Sequence, residues 1–482
     1  MIKNKLYNAI AKSFSGKILT YIVQFTALAI YARIFSPQEF GIIASIQVFV
    51  IFFQMLSNIG IGPAIINENN FDEGRRNGIF TVTFFLGLII AISFYYFSYV
   101  LNYFYDGVNY QAIASLVSVS ILFSSLNILP STSLIKDERF LQIAYVEIFS
   151  EVLCFIVVIS LYYNGGGLLS LASRPAVQSI VRFFLCRFLS AKTTLGKAKF
   201  GRELFHIKSI IGFSSYQFGF NFINYFSRNL DSILIAKYFG MATVGAYDKA
   251  YQLMRYPLLM TTSAMVPAIQ PVLTKVRNDK ERIVLEHNAL AARLLFLSIP
   301  ISVFMFMNSE DILVVLFGEQ WLVANDLIEI LSFMIPVQAV LSTSGAFFQV
   351  MNKPKLLFIS GFIAAFVTVS ATLVGLSLNN VNYIATFIVV AFYMNFFQIY
   401  FVLFKYCFRT AIKGFYNKLL KVILFMLLPN FIFVTLNLNI LRGASFSPII
   451  NILISTFIGV SLLGLFLVLA KKVKVINLRN FL

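Results

Sequence analysis

Residues 213–269 read FSSYQFGFNFINYFSRNLDSILIAKYFGMATVGAYDKAYQLMRYPLLMTTSAMVPAI. The stretch is apolar enough to cross a bilayer twice, yet it carries Arg228, Asp231, Asp248, Lys249 and Arg255. Charges at membrane depth are costly and face a bundle interior or a wet cavity. Gln217, Asn221, Asn224, Arg228 and Asp231 follow spacings of four, three, four and three, which stack on one side of a helix. Asp248, Gln252 and Arg255 make a second stripe on the next span. Two adjacent polar stripes imply an enclosed hydrophilic path.

The same pattern stands earlier in the chain, at an offset of 204 residues. Ala32-Arg33-Ile34-Phe35 with Phe40-Gly41 overlies Ala236-Lys237-Tyr238-Phe239 with Val244-Gly245. Tyr21 overlies Tyr225, Gln24 overlies Arg228, and Pro63-Ala64-Ile65 overlies Pro267-Ala268-Ile269. The identities group at one loop and at a span end, which reads as a duplicated unit of the kind common in transporters.

Composition agrees. The chain has 482 residues, of which 59% are hydrophobic and 12% charged, too little polar surface for a soluble protein of this size. Cys154, Cys186 and Cys407 lie in or beside apolar segments without metal-ligand or disulfide-framework spacing. His206 and His287 are read as residues of basic polar loops. No cofactor is indicated, and the chain lacks the glycine-rich phosphate loop of ATP-hydrolysing proteins.

Apolar segments fall at roughly 16–34, 41–66, 78–100, 112–134, 141–162, 167–189, 209–236, 243–269, 291–316, 324–351, 356–378, 382–404, 418–437 and 447–470, each about 20 residues or more. Pro257 and Pro336 interrupt two of them. The expected fold is an all-α polytopic membrane protein of about 14 transmembrane helices. Residues 1–14 are expected to lie along the inner surface. Net charge is +18, but the cations crowd alternate loops, from Arg75 and Arg76 through Lys192–Lys208 to Lys405–Lys421 and the tail. That asymmetry orients a membrane protein with both termini in the cytoplasm, rather than signalling nucleic acid. Loop 190–208 divides the chain into an N-terminal lobe (1–200, spans 1–6) and a C-terminal lobe (201–404, spans 7–12). Residues 405–482 add two spans and a basic tail. Six spans per half give a parallel repeat.

Ala32-Arg33-Ile34-Phe35-Ser36-Pro37-Gln38-Glu39-Phe40-Gly41 resembles the first outer loop of bacterial polysaccharide-biosynthesis flippases. Asn58-Ile59-Gly60-Ile61-Gly62, Asn229–Ile235, Tyr247–Leu253 and Phe317-Gly318-Glu319-Gln320-Trp321 fit the same group. Over residues 1–404 the chain resembles Wzx-type lipid-linked oligosaccharide flippases of the multidrug/oligosaccharidyl-lipid/polysaccharide exporter superfamily. The resemblance implies two six-helix lobes around a central cavity that opens to one side at a time. It further implies an undecaprenyl-pyrophosphate-linked oligosaccharide as substrate, an inner-membrane location, and possible contact with other polysaccharide-assembly proteins. A diphosphate bearing sugars cannot cross hydrocarbon unaided, so such a carrier needs a wet, cationic cavity while the lipid tail stays in the membrane.

Cavity candidates are Lys17, Tyr21 and Gln24 on span 1, Gln47, Gln54 and Asn58 on span 2, Asn221, Asn224, Tyr225 and Arg228 on span 7, and Tyr251 and Arg255 on span 8. Arg255 contacts phosphate or pairs with Asp231 or Asp248; Arg228 is read first as a structural partner of Asp231. For the amides, interhelical hydrogen bonding is the competing role. Lys17 either lines the cavity or snorkels at the inner interface. Glu147 and Glu151 on span 5 face Arg174 and Arg182 on span 6, and equal depth favours a Glu147–Arg182 ion pair. The alternative makes Glu151 a proton or sodium site. Two other functions compete with the flippase: a drug or cation antiporter of the same superfamily, and a membrane-embedded polysaccharide polymerase or ligase. Cation excess disfavours the former; short outer loops without an intramembrane histidine disfavour the latter.

Overall fold

The computed structural model describes residues 2–58, 61, 62, 65, 72–105, 107–203, 222, 225–262, 269, 273, 274, 277–440 and 446–472. The side chains of 2–15, 17, 18, 260–262 and 470–472 fall outside that description. Among the described residues every regular element is helical.

Two compact units divide the chain, Met1–Gly245 and Ala246–Leu482. The first holds α1 (Ile2–Ile34), α2 (Pro37–Asn58), α3 (Glu73–Phe104), α4 (Gln111–Lys136), α5 (Phe140–Leu161), α6 (Gly167–Ser190) and α7 (225–239). Helix α8 (Met241–Thr262) begins in it. Residues 2–14 are helical and continuous with the rest of α1. Ser36-Pro37-Gln38-Glu39 explains the start of α2: the Ser36 amide donates to Glu39 Oε2 at 2.8 Å and the Glu39 amide to Ser36 Oγ at 3.3 Å. That reciprocal cap, with proline at the first helical position, fixes the turn. Helix α4 packs on both α3 and α6, α5 on α6 and α1, and α2 against α3 and α4. Between α5 and α6, Asn164 and Gly165 leave helical geometry, so the two apolar runs reverse direction there.

The loop after α6 is anchored onto this unit. Thr194 donates its amide and hydroxyl to Asp137, the Lys199 amide donates to Asn77 Oδ1, and the Gly201 amide to Thr81 Oγ1.

Within this unit, α2 and the start of α8 cross at backbone contact. A Cβ on Gly41 would stand 1.7 Å from the Met241 carbonyl oxygen, and one on Gly245 2.0 Å from that of Pro37. Pro37 and Met241, like Gly41 and Gly245, are equivalent in the 204-residue register. The contact is therefore reciprocal, each glycine receiving the partner helix one turn before the other glycine. Ser45 and Tyr110, bonded at 2.6 Å, pack behind it, and the Tyr110 hydroxyl reaches Met241 Sδ at 3.8 Å.

The second unit holds α9 (Lys280–Met307), α10 (Ser309–Leu316), a 3-10 turn (Glu319–Ala324), α11 (Asn325–Ser332), α12 (Ile335–Leu341), α13 (Ser344–Val350), α14 (Pro354–Ser377), α15 (Val381–Val402), α16 (Lys413–Ile440) and α17 (Pro448–Lys472). Two expected spans are broken. The 291–316 run splits at Asn308, whose amide closes α9 on the Phe304 carbonyl. The 324–351 run bends by 55° between Glu319–Ser332 and Ile335–Val350, with Pro336 in the first turn of α12. Helix α9 also starts eleven residues earlier than expected, which moves His287 from a loop to a helix. The imidazole is fully buried against Phe347, Tyr400, Phe404, Phe408 and Phe415.

Helices α16 and α17 are integral to this unit. Helix α16 packs on α9, and α17 on α10 and α16. Asn437 Nδ2 and Ser455 Oγ, bonded at 2.8 Å, both donate to Asn308 Oδ1, at 3.4 and 2.7 Å. The amide that breaks the α9–α10 run thus holds both added helices.

Nine helical runs among the described residues are long and apolar enough to cross a membrane, or ten with the bent pair. One of the nine, Phe140–Ser190, contains both α5 and α6. Their outward faces are apolar: Phe362 and Phe366 on α14 are 54% and 68% exposed, and Phe457 on α17 74%. In water such faces would aggregate, whereas lipid accommodates them. The chain is a multi-pass membrane protein.

Gly41→Leu is expected to cost more than the about 1–3 kcal/mol typical of an overpacked core, because the obstacle is backbone. Fluorescence-monitored unfolding in detergent would register this as a clear drop in Tm relative to Gly464→Leu, where a Cβ meets nothing within 4 Å. Equal Tm values would show that the crossing is loose.

Candidate functional site

The charged stripe on α8 resolves into a closed group and an open one. Lys249 is 2% exposed and donates from Nζ to Asp248 Oδ2 at 3.0 Å and to Gln252 Oε1 at 3.3 Å. Gln252 Nε2 completes the ring by donating to the same Asp248 oxygen at 2.7 Å. Asp248 is therefore neutralised by its own neighbour and not by Arg255. Arg255, one turn beyond Gln252, is exposed and enters no ion pair among the described residues. Lys249 escapes the sequence reading because it follows Asp248 directly and lies off the three-residue stripe.

On α7, Asp231 is buried and its Oδ1 accepts the Ser232 amide at 2.8 Å. Arg228 is exposed and, contrary to the expected pairing, forms no ion pair with Asp231. Tyr225 is half-buried and donates its hydroxyl to the Val48 carbonyl of α2 at 2.7 Å. A ring cluster of Phe52, Phe222 and Phe226 lies beside it, with centroids 5.0 to 5.4 Å apart.

The amides divide as well. Gln54 Nε2 lies 3.5 and 3.4 Å from the hydroxyls of Ser120 and Ser124 on α4, an interhelical role. Tyr21, Gln24 and Gln47 are half-buried, and Asn58 is exposed. Tyr251 is half-buried beside Tyr247, ring centroids 5.7 Å apart. Asn221, Asn224 and the Lys17 side chain lie outside the described residues.

The carboxylates of α5 pair differently from the depth count. Glu151 is fully buried, and both its oxygens are occupied. Arg174 Nη2 donates to Oε1 at 2.8 Å, and Gln178 Nε2 to Oε2 at 2.6 Å. Arg182 donates from Nε to Ser150 Oγ at 3.4 Å instead of meeting Glu147. Counting from helix ends fixes depth but not azimuth, which is why the expected Glu147–Arg182 pair is replaced by Glu151–Arg174. Gln178 was legible, since it follows Arg174 by four residues and shares its face. The Arg174 guanidinium stands 5.4 Å from the centroid of the Tyr31 ring, tying α1 to the pair. No cluster of three or more metal-binding acids, histidines or cysteines occurs among the described residues.

Comparison with known proteins follows these features. The fold is similar to that of a solved structure described as the lipid II flippase MurJ, inward closed conformation: TM-score 0.77, 16% identity, covering 95% of this chain and 98% of that one. It shares 22% identity over 340 residues with the teichuronic acid biosynthesis protein TuaB of Bacillus subtilis, covering 70% of this chain and 69% of TuaB. With the succinoglycan biosynthesis transport protein ExoT of Rhizobium meliloti it shares 23% over 369 residues, 75% and 73% of the two chains. The fold class, among the described residues, is thus an all-helical, multi-pass membrane architecture. The sequence profile described as polysaccharide biosynthesis protein matches residues 30–326, and the chain belongs to that family.

Arg174→Met is expected to lower stability by about 3 kcal/mol, the lower part of the range for orphaning a buried charge, because Arg174 is 28% exposed. The double variant Glu151→Leu/Arg174→Met should recover most of that loss in Tm. A double variant no better than the single one would mean that Glu151 is not held as a charge by Arg174.

Proposed function

We propose that this chain flips an undecaprenyl-pyrophosphate-linked oligosaccharide from the cytoplasmic to the outer leaflet of the bacterial inner membrane by alternating access. The names of its relatives support a polysaccharide pathway, and its fold supports a lipid flippase. In this reading the lobes are those of the repeat, 1–200 and 201–404, with 405–482 appended and both termini cytoplasmic. No ATP site or cofactor enters; an ion gradient or consumption of the product supplies direction.

The observation that carries the reading is the imbalance on α8. Asp248 is closed by Lys249 and Gln252, and Arg255 remains exposed with no carboxylate partner among the described residues. An uncompensated cation in a membrane helix is costly unless an anion or water meets it, and a pyrophosphate is such an anion. Arg228 supplies a second exposed cation on α7. Tyr21, Gln24, Gln47, Asn58, Tyr225 and Tyr251 then offer amides and ring faces to the sugars, and Lys17, Asn221 and Asn224 belong to the same proposed lining. A cationic drug would find the wrong sign of charge here.

Deletion of the gene should remove surface polysaccharide and leave the lipid-linked oligosaccharide on the cytoplasmic side. Wild-type complementation should restore both, whereas Arg255→Ala at equal membrane abundance should lower surface polysaccharide about tenfold or more, as loss of a charge-assisted phosphate contact predicts. Unchanged glycan and lipid-linked pools, with raised sensitivity to cationic drugs, would replace the flippase with an antiporter.

A further inference from the structure

The turn joining α15 to α16 forms an open cavity of about 620 Å³, lined by Phe401, Phe404, Lys405, Tyr406, Arg409 and Thr410 among others. Two cations dominate it. The Lys405 ammonium stands 5.0 Å from the centroid of the Phe401 ring and 5.6 Å from that of Tyr406, which holds it in place without neutralising it. Neither Lys405 nor Arg409 forms an ion pair among the described residues, and both side chains are exposed.

Arg409 stands where a glycine would be expected. Its backbone is left-handed, φ 57° and ψ 45°, and its amide closes the helix end on the Phe404 carbonyl. The Thr410 amide donates to that same oxygen at 3.1 Å. Glycine adopts this closure without penalty, and arginine does not. The left-handed backbone at Arg409 sets its guanidinium beside Lys405 in the lining of the cavity.

We propose that this cavity binds the head group of an anionic phospholipid from the cytoplasmic leaflet, with its phosphate on Lys405 and Arg409 and the start of its acyl chains along Phe401. Phe401, 48% exposed, lies one turn inside the membrane-crossing helix, so the walls grade from charge to hydrocarbon as a phospholipid does. A soluble phosphate has no use for that gradient. The cytoplasmic leaflet is also the anionic one, and this end of α15 belongs to it by the distribution of loop cations. The inference rests on that orientation and not on the flippase reading.

The test uses the full chain in phosphatidylcholine nanodiscs with and without phosphatidylglycerol. Phosphatidylglycerol should raise the Tm of the wild type. The affinity for head-group-labelled phosphatidylglycerol should fall about thirtyfold in Lys405→Ala/Arg409→Gly, the loss of two interfacial cations. Arg409→Gly alone should match or exceed the wild-type Tm in pure phosphatidylcholine, which separates lost binding from lost folding. Removing Lys355 and Lys421 in the same way should change affinity less than threefold. Three results would each overturn the site: affinity retained in the double variant, an equal loss in the Lys355/Lys421 control, or protection by inorganic phosphate alone where phosphatidylglycerol gives none.

Discussion

Hydrocarbon tolerates no unpartnered charge, and this condition organises the polar residues of the chain. Two buried charges are answered within their own neighbourhood: Glu151 by Arg174 and Gln178, Lys249 by Asp248 and Gln252. In both, an amide supplies the hydrogen bond that the cation leaves unmade. Such closure makes a buried pair tolerable rather than strongly stabilising, because attraction and desolvation nearly cancel. The exposed cations Arg228 and Arg255 are conspicuous against that rule. Among the described residues neither meets a carboxylate.

The same accounting explains why the helices after α8 are irregular. A break in a membrane helix frees backbone groups that need new partners, and Asn308 serves as both break and partner. Its own amide caps α9, while its side-chain oxygen collects Asn437 and Ser455. Two helices that look supplementary in sequence are thereby joined to the unit through one buried carbonyl.

Much of the membrane architecture could be read from the chain. Apolar run length located the long helices, Pro336 marked the bent pair, and the Ser36–Glu39 cap was written in four consecutive residues. Azimuth and long-range packing were not legible. Depth alone suggested Glu147–Arg182, because counting from helix ends cannot say which side a long side chain takes. His287 reads as a loop residue since Lys280, Glu281, Arg282, Glu286 and Arg293 surround it. Only the rings of Phe347, Tyr400, Phe404, Phe408 and Phe415, distant in sequence, reveal it as a core residue. Lys249 was passed over for the opposite reason, being too close to Asp248 to fit a helical stripe.

The crossing of α2 and α8 has the form of a contact between identical subunits. When residue i of one helix meets residue j of its equivalent, and j meets i, the contact is isologous, the form imposed by a two-fold axis between identical subunits. Gly41 against Met241 and Gly245 against Pro37 have that form within a single polypeptide. A pair of separate, identical half-length chains would have made the same contact with itself, so one glycine would have served both sides. In one polypeptide that single self-complementary position becomes two, Gly41 and Gly245, each of which must stay small.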